Sequence, residues 1–230
     1  MKLENSFRGK AMKTLTLLVF VLVVFALACK LGDSGLFGGS GGGNASNTAS
    51  SAGADPKSDV VQASKKLVAL PSFSAKMEGF GQMEIKQQVD FVAPDRFHVT
   101  YLAGAAPGME IIAIGDQSWM KAAGGNWSKM PGGPNTATPN LRDSFTDEGL
   151  KTLTDVKFEG DGTVDAKPTF VYTYKNVTPK GSFPFSAKMW VDKQTGVPLQ
   201  LVADYTNGVL KQMTVKYDTA SPVSIEPPIK

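Results

Sequence analysis

Between Met83 and Tyr217 the chain alternates apolar and polar residues with a period of two, run after run, with short turn sequences in between. Met83, Ile85, Gln87, Val89 and Phe91 alternate with Glu84, Lys86, Gln88 and Asp90, and Phe97, Val99 and Tyr101 alternate with His98 and Thr100. Met109–Ile114, Phe170–Tyr174, Phe185–Val191, Leu199–Tyr205 and Met213–Tyr217 continue the series. Successive side chains of a strand point to opposite faces, so this pattern, rich in Val, Ile, Phe and Tyr, marks strands with one buried face. The separators carry turn chemistry: Ala93-Pro-Asp95, Ile114-Gly-Asp116, Gly124-Gly-Asn126, Lys193-Gln-Thr-Gly196 and Thr206-Asn-Gly208, with Asn207-Gly208 a strong hairpin signal. Connections this short force antiparallel neighbours, because a parallel pair needs a crossover of about a dozen residues or more.

Two segments read as helix. In Asp55–Leu70, Asp55 suits the cap, Pro56 the first turn and Pro71 the stop, and Val60, Val61, Ala63, Ser64, Leu67 and Val68 mark one apolar face. A loop-like stretch, Gly132–Asn140, precedes a short capped helix over Thr146–Leu153. A long sheet with one apolar face must curl to bury it, and the helices are the available filling. The expected fold class is α+β: a curved antiparallel half-barrel sheet of about ten strands wrapped around one or two helices.

The N-terminus has a different character. Lys2, Arg8, Lys10 and Lys13 surround a single acid, Glu4, and an apolar run from Leu15 to Ala28 leads to Cys29. A basic start, a short apolar core and small residues at its end describe a secretory signal, and the run falls short of the roughly 20 apolar residues of a comfortable bilayer span. Met12 is an alternative start that leaves a compact signal. Cys29 is the one cysteine of the chain, so it has no internal disulfide partner. Ala26-Leu-Ala-Cys29 resembles the bacterial lipobox, in which the cysteine is acylated on sulfur before cleavage, although Leu27 stands one place nearer the cysteine than in the commonest form. The alternative is an ordinary secreted chain cut nearby, which would leave a free thiol in an oxidising compartment. The expected organisation is thus residues 1–28 as lipoprotein signal peptide, 29–56 as lipidated cysteine and tether, and 57–230 as the half-barrel domain. The tether is rich in Gly, Ser, Ala and Asn and buries too little apolar surface to order itself. As a Gly-rich coil its reach is about 25–30 Å.

The cations of residues 1–28 outweigh Glu4 by the chain's entire formal charge of +3, so the mature part is close to neutral. That argues against nucleic acid as a partner, since capture requires a clustered basic face. His98 is the only histidine, and no acid adjoins it in sequence, so neither a nucleophilic triad nor a histidine-rich metal site is expected. Glu159-Gly-Asp-Gly-Thr-Val-Asp165 offers oxygen ligands without the spacing of a calcium loop and reads as a hairpin turn. No enzyme activity, metal or cofactor is expected.

The order of elements (helix, antiparallel strands, an inserted loop and helix, more strands) resembles the LolA/LolB superfamily of lipoprotein carriers, including lipid-carrier lipoproteins of the LprG/LppX type. Val92-Ala-Pro-Asp-Arg-Phe97, Glu110–Met120 with Gly125–Met130, and Trp190-Val-Asp-Lys-Gln-Thr-Gly-Val-Pro-Leu199 are similar to strand and turn segments of that family, over about residues 57–220. The resemblance implies an apolar cavity for acyl chains, lined from one strand face by Met83, Ile85, Val89, Phe91, Phe97, Val99, Tyr101, Phe170, Tyr172, Met189, Leu199 and Leu201. It implies attachment to membrane lipid through acylated Cys29, and acyl chains of lipid or lipoprotein as cargo. The expected location is the cell envelope, at the outer membrane facing the periplasm in a Gram-negative host. A second reading stays open: that these residues pack a solid core and the sheet recognises a protein partner, as RseB-like relatives of the fold do.

Overall fold

A computed structural model describes residues 53–82, 84–131, 150–177, 184–206 and 209–229. The signal, Cys29, the tether as far as residue 52, Met83, the loop Gly132–Asn140 and the turn at Asn207-Gly208 lie outside the described residues.

Helix α1 spans Pro56–Val68, with the Asp55 carboxylate accepting from the Ser58 N–H at 3.1 Å and proline in the first turn. Val60, Ala63, Ser64 and Leu67 are buried, the i, i+3, i+4, i+7 stripe expected of a helix laid on a sheet. Ser64 sits in that stripe without cost because its hydroxyl donates to the Val60 carbonyl at 2.8 Å. The helix ends before the expected Leu70, where Leu70 N–H tightens back onto the Leu67 carbonyl.

Eleven strands follow: β1 Ser72–Gly81, β2 Ile85–Val92, β3 Arg96–Ala103, β4 Glu110–Ile114, β5 Gln117–Lys121, β6 Trp127–Lys129, β7 Thr154–Val164, β8 Lys167–Val177, β9 Pro184–Asp192, β10 Pro198–Tyr205 and β11 Leu210–Asp218. All pair antiparallel in one sheet of order β6-β5-β4-β3-β2-β1-β11-β10-β9-β8-β7. The curved half-barrel expected from the sequence is the fold observed. The turn after β9 shows how local chemistry sets the meander: Asp192 Oδ1 accepts from the Gln194 and Thr195 amides at 2.7 and 3.3 Å, and Gly196 takes the positive φ of 70° that closes the turn.

Three expectations need correction or narrowing. Glu159–Asp165 is not a hairpin turn: β7 runs through Val164, and the reversal falls at Asp165 and Ala166, with φ of 48° and 66°. β1 and β7 are strands that the alternation did not single out. Of the expected helix at Thr146–Leu153, Leu150 and Lys151 are helical, Leu150 and Leu153 are buried, and residues 146–149 lie outside the described residues.

The sheet has two unlike faces. The inner face carries α1 and two apolar clusters: Phe73, Met77, Val89, Phe91, Val99, Ile111, Met213 and Val215 with Leu67 on one wing, and Tyr172, Tyr174, Ala187, Met189 and Val191 with Val60, Ala63, Leu150 and Leu153 on the other. On the outer face Ile112 and Trp119 are covered by Ile225 of the C-terminal segment, while Phe80 and Leu102 stand exposed. Arg96 ties that segment down, donating to the Ile225 carbonyl at 2.7 Å and to Glu226 at 3.2 Å.

Candidate functional site

The registers of β1 through β5, interrupted only by a shift between β2 and β3 at Lys86 and Gln87, place side chains in rows across the inner face. One row runs Ala75, Val89, Val99, Ile111, Met120; the next runs Phe73, Phe91, Phe97, Ala113, Ser118. Phe91 packs on both Phe73 and Phe97 with ring centroids 5.1 Å apart. In the other wing, rows of Phe170 with Val191, Tyr172 with Met189 and Leu201, and Tyr174 with Ala187 and Ala203 continue the face.

Of the twelve residues expected to line a cavity, Ile85, Val89, Phe91, Phe97, Val99 and Tyr101 share this face in the first wing, and Phe170, Tyr172 and Met189 share it in the second. Leu201 packs against both clusters and joins the wings. Leu199 is buried at the irregularity between Pro198 and Gln200, and Met83 lies outside the described residues. Val89, Phe91 and Val99 have no exposed surface and pack within the core, whereas Ile85, Tyr101, Phe170 and Leu201 are half-buried. Half-buried Met109, Met120 and Met130 pack against the first wing as well, adding adaptable side chains to the face.

The sequence reading passed over three members of the same face. Tyr174 has the parity of Tyr172, Tyr205 that of Leu201, and Tyr217 that of Val215, so the alternation already applied to their neighbours would have included them. All five tyrosines of the chain in fact face inward. Tyr172 donates to Asp59 on α1 at 3.0 Å, and the same carboxylate oxygen accepts from the Gly53 amide at 2.9 Å. Burial, and then the bond to Asp59, pushes the Tyr172 hydroxyl far above the ordinary tyrosine value.

His98 points to the outer face, where its Nε2 lies 2.9 Å from Glu110 and its Nδ1 3.9 Å from Asp90. Acids that do not adjoin it in sequence are thus brought to it across the strands. A hydrogen bond from Lys121 holds the Glu110 carboxyl below the usual carboxylate range, and His98 adds to the effect. This is a satisfied surface network binding β3, β4 and β5 together. Among the described residues no group of three or more His, Cys, Asp or Glu is placed to hold a metal ion.

No protein-family model matches the chain, and no curated protein matches it. Solved structures do. The lipoprotein LppX of Mycobacterium tuberculosis superposes with a TM-score of 0.55 at 16% identity, covering 74% of this chain and 98% of LppX. LprF of Mycobacterium bovis superposes with a TM-score of 0.55 at 13% identity, covering 78% of this chain and all of LprF. The chain therefore shares its fold with LppX and LprF, in keeping with the resemblance that the order of elements carries.

Proposed function

We propose that this half-barrel, which shares its fold with the lipoprotein LppX, binds the acyl chains of a lipid or lipidated protein on its inner face while Cys29 anchors it to a membrane of the cell envelope. The observation that carries the reading is a mismatch of size. Eleven strands at a spacing of about 4.8 Å make a sheet roughly 48 Å wide. The 13 residues of α1 form a rod only about 20 Å long. Among the described residues this helix packs on the second wing, against β7 and β10, with Leu67 reaching the first cluster, and half-buried Tyr101, Met109 and Met120 of the first wing keep apolar surface to spare. An acyl chain gains about 0.8 kcal/mol for each CH₂ moved from water onto such a surface. That LppX is a lipoprotein supports the anchored, envelope-located form.

Mass spectrometry of the full-length chain purified in detergent tests both parts. Under denaturing conditions the anchor should persist as a covalent mass increment that Cys29→Ser abolishes. Under native conditions a further lipid should remain bound, and Leu201→Asp, which sets a charge between the two clusters, should remove it. A chain carrying the anchor but no second lipid, even after incubation with membrane lipids, overturns the cargo reading and leaves a protein partner as the occupant of the sheet.

A further inference from the structure

Because every strand pairs antiparallel with its neighbours, the turns of the meander fall alternately at the two ends of the sheet. At one end lie the turns after β2, β4, β7 and β9, and each presents an exposed charge: Asp95, Asp116, Asp165 and Lys193. At the other end lie the turns after β1, β3, β5 and β10. Gly104-Ala-Ala-Pro-Gly108 follows β3 and Ala122-Ala-Gly-Gly-Asn126 follows β5, with no ionisable group in either. Among the described residues of these four turns Glu84 is the one charge, and Lys86 pairs with it at 2.9 Å. The turn after β8 belongs to the same end and lies outside the described residues; its one charge in sequence is Lys180, a cation that lipid phosphates attract.

Apolar side chains follow the same polarity. Phe80 is 54% exposed and Leu102 57%, and each stands one residue from the end of its strand at the uncharged end, with β2 between them. The third large apolar side chain exposed among the described residues, Ile229, belongs to the C-terminal segment. The inner face of the first wing loosens in the same direction. Along β3, Phe97 and Val99 are buried and Tyr101 is half-buried; along β2, Val89 is buried and Ile85 is half-buried. An exposed apolar patch marks a contact surface, and the missing charges select what it contacts. A charge pressed into the acyl boundary of a bilayer loses water without a partner, which is costly, whereas small uncharged loops and single large apolar side chains enter that boundary readily. The expected tether adds proximity: with a reach of about 25–30 Å it keeps the domain beside the membrane that holds Cys29.

We infer that the uncharged end of the sheet is a seat on the lipid bilayer: Phe80 and Leu102 enter the boundary between headgroups and acyl chains, and the two uncharged loops lie among the headgroups. The assignment rests on the anchored reading above and adds an orientation to it. The loosened end of the inner face opens toward the acyl chains, and the charged turns point away from the membrane. Since the contact is apolar, it requires neither anionic lipid nor low salt.

The test uses the acylated full chain in phosphatidylcholine vesicles whose acyl chains carry bromine, a short-range quencher. With Cys29 blocked by its lipid, an introduced cysteine is the one free thiol. An environment-sensitive fluorophore is attached through Ala105→Cys, in the loop after β3, or through Asp116→Cys, at the opposite end. At position 105 the emission should shift to the blue and be quenched; at position 116 it should match that in water. Neither result should change in about 1 M salt, where charges are screened beyond about 3 Å. Phe80→Ser combined with Leu102→Ser should abolish the quenching at position 105. Both residues are exposed, so the double variant should melt as the wild type does, which separates loss of the seat from loss of the fold. Water-like emission at both positions, in a chain that floats with the vesicles, overturns the seat and leaves the anchor standing. Quenching at position 116 overturns it by turning the opposite end to the membrane, and quenching at 105 that salt removes or the double variant keeps overturns it as well. A chain that does not float with the vesicles overturns the anchor and the seat together.

Discussion

Tyr172 and Tyr174 stand two positions apart on β8 and face the same way, yet their hydroxyls are in opposite circumstances. The first is held by Asp59; the second has no partner among the described residues. Removing the oxygen should therefore separate them. Tyr172→Phe breaks a tie between sheet and helix and leaves Asp59 with one donor fewer, a loss of about 1 kcal/mol. Tyr174→Phe deletes a hydroxyl that has no partner among the described residues and is not one of the buried orphans, so it should leave the lipid-free protein about as stable as before. Urea unfolding midpoints, compared at constant slope, read the difference directly. Equal losses in the two variants would mean that the Tyr174 hydroxyl is satisfied after all. At this scale the sequence is half legible. Alternation assigns every tyrosine to its face, but it says nothing of whether a hydroxyl finds a partner, because Asp59 stands 113 residues away from Tyr172. His98 makes the same point from the other face, where Asp90 and Glu110 reach it only through strand pairing.

Among the elements, those that obey a single rule were readable and those that answer to two were not. Helix α1 announces itself through cap, proline and stripe, all of which act locally. β1 is a central strand, but its inner positions include small Ala75 and Gly79 while Phe80 on the other face is 54% exposed, so size and side disagree along it. β7 is an edge strand and must discourage further pairing as well as cover Tyr172. Its charges, Asp155, Lys157, Glu159 and Asp161, and its register shifts near Asp155 and Gly160 serve that purpose, and they obscure the alternation that would reveal a strand. The C-terminal segment is a different kind of element, irregular but fastened by Arg96. Ending the chain after Ser221 should leave the sheet intact while uncovering Ile112 and Trp119, the latter only 5% exposed. The expected readouts are a red shift of tryptophan emission and a lower melting temperature; unchanged emission would show that the segment is not what shields Trp119.

For the molecule as a whole, every neighbouring pair of strands is consecutive in sequence except one: β1 with β11, where Ser74 lies opposite Asp218. Each wing is thus a meander that can assemble from local hairpins, whereas joining the wings requires closing a loop that contains nearly the whole domain. Substitutions on either side of that distinction should divide in their kinetics. Val99→Ala, inside a wing, should slow folding by up to about tenfold, while Val215→Ala, at the join, should mainly hasten unfolding. Stopped-flow chevrons would show it, and a Val215→Ala effect confined to the folding limb would mean that the join forms early. The same arrangement bears on how the chain is made. Its first and last strands meet at the centre of the sheet, so the domain fastens like a clasp, and a nascent chain lacking only its final strand is missing the middle of the structure. Until synthesis reaches Asp218, two greasy half-sheets have no mate, and the unfinished chain has reason to be escorted until the clasp shuts.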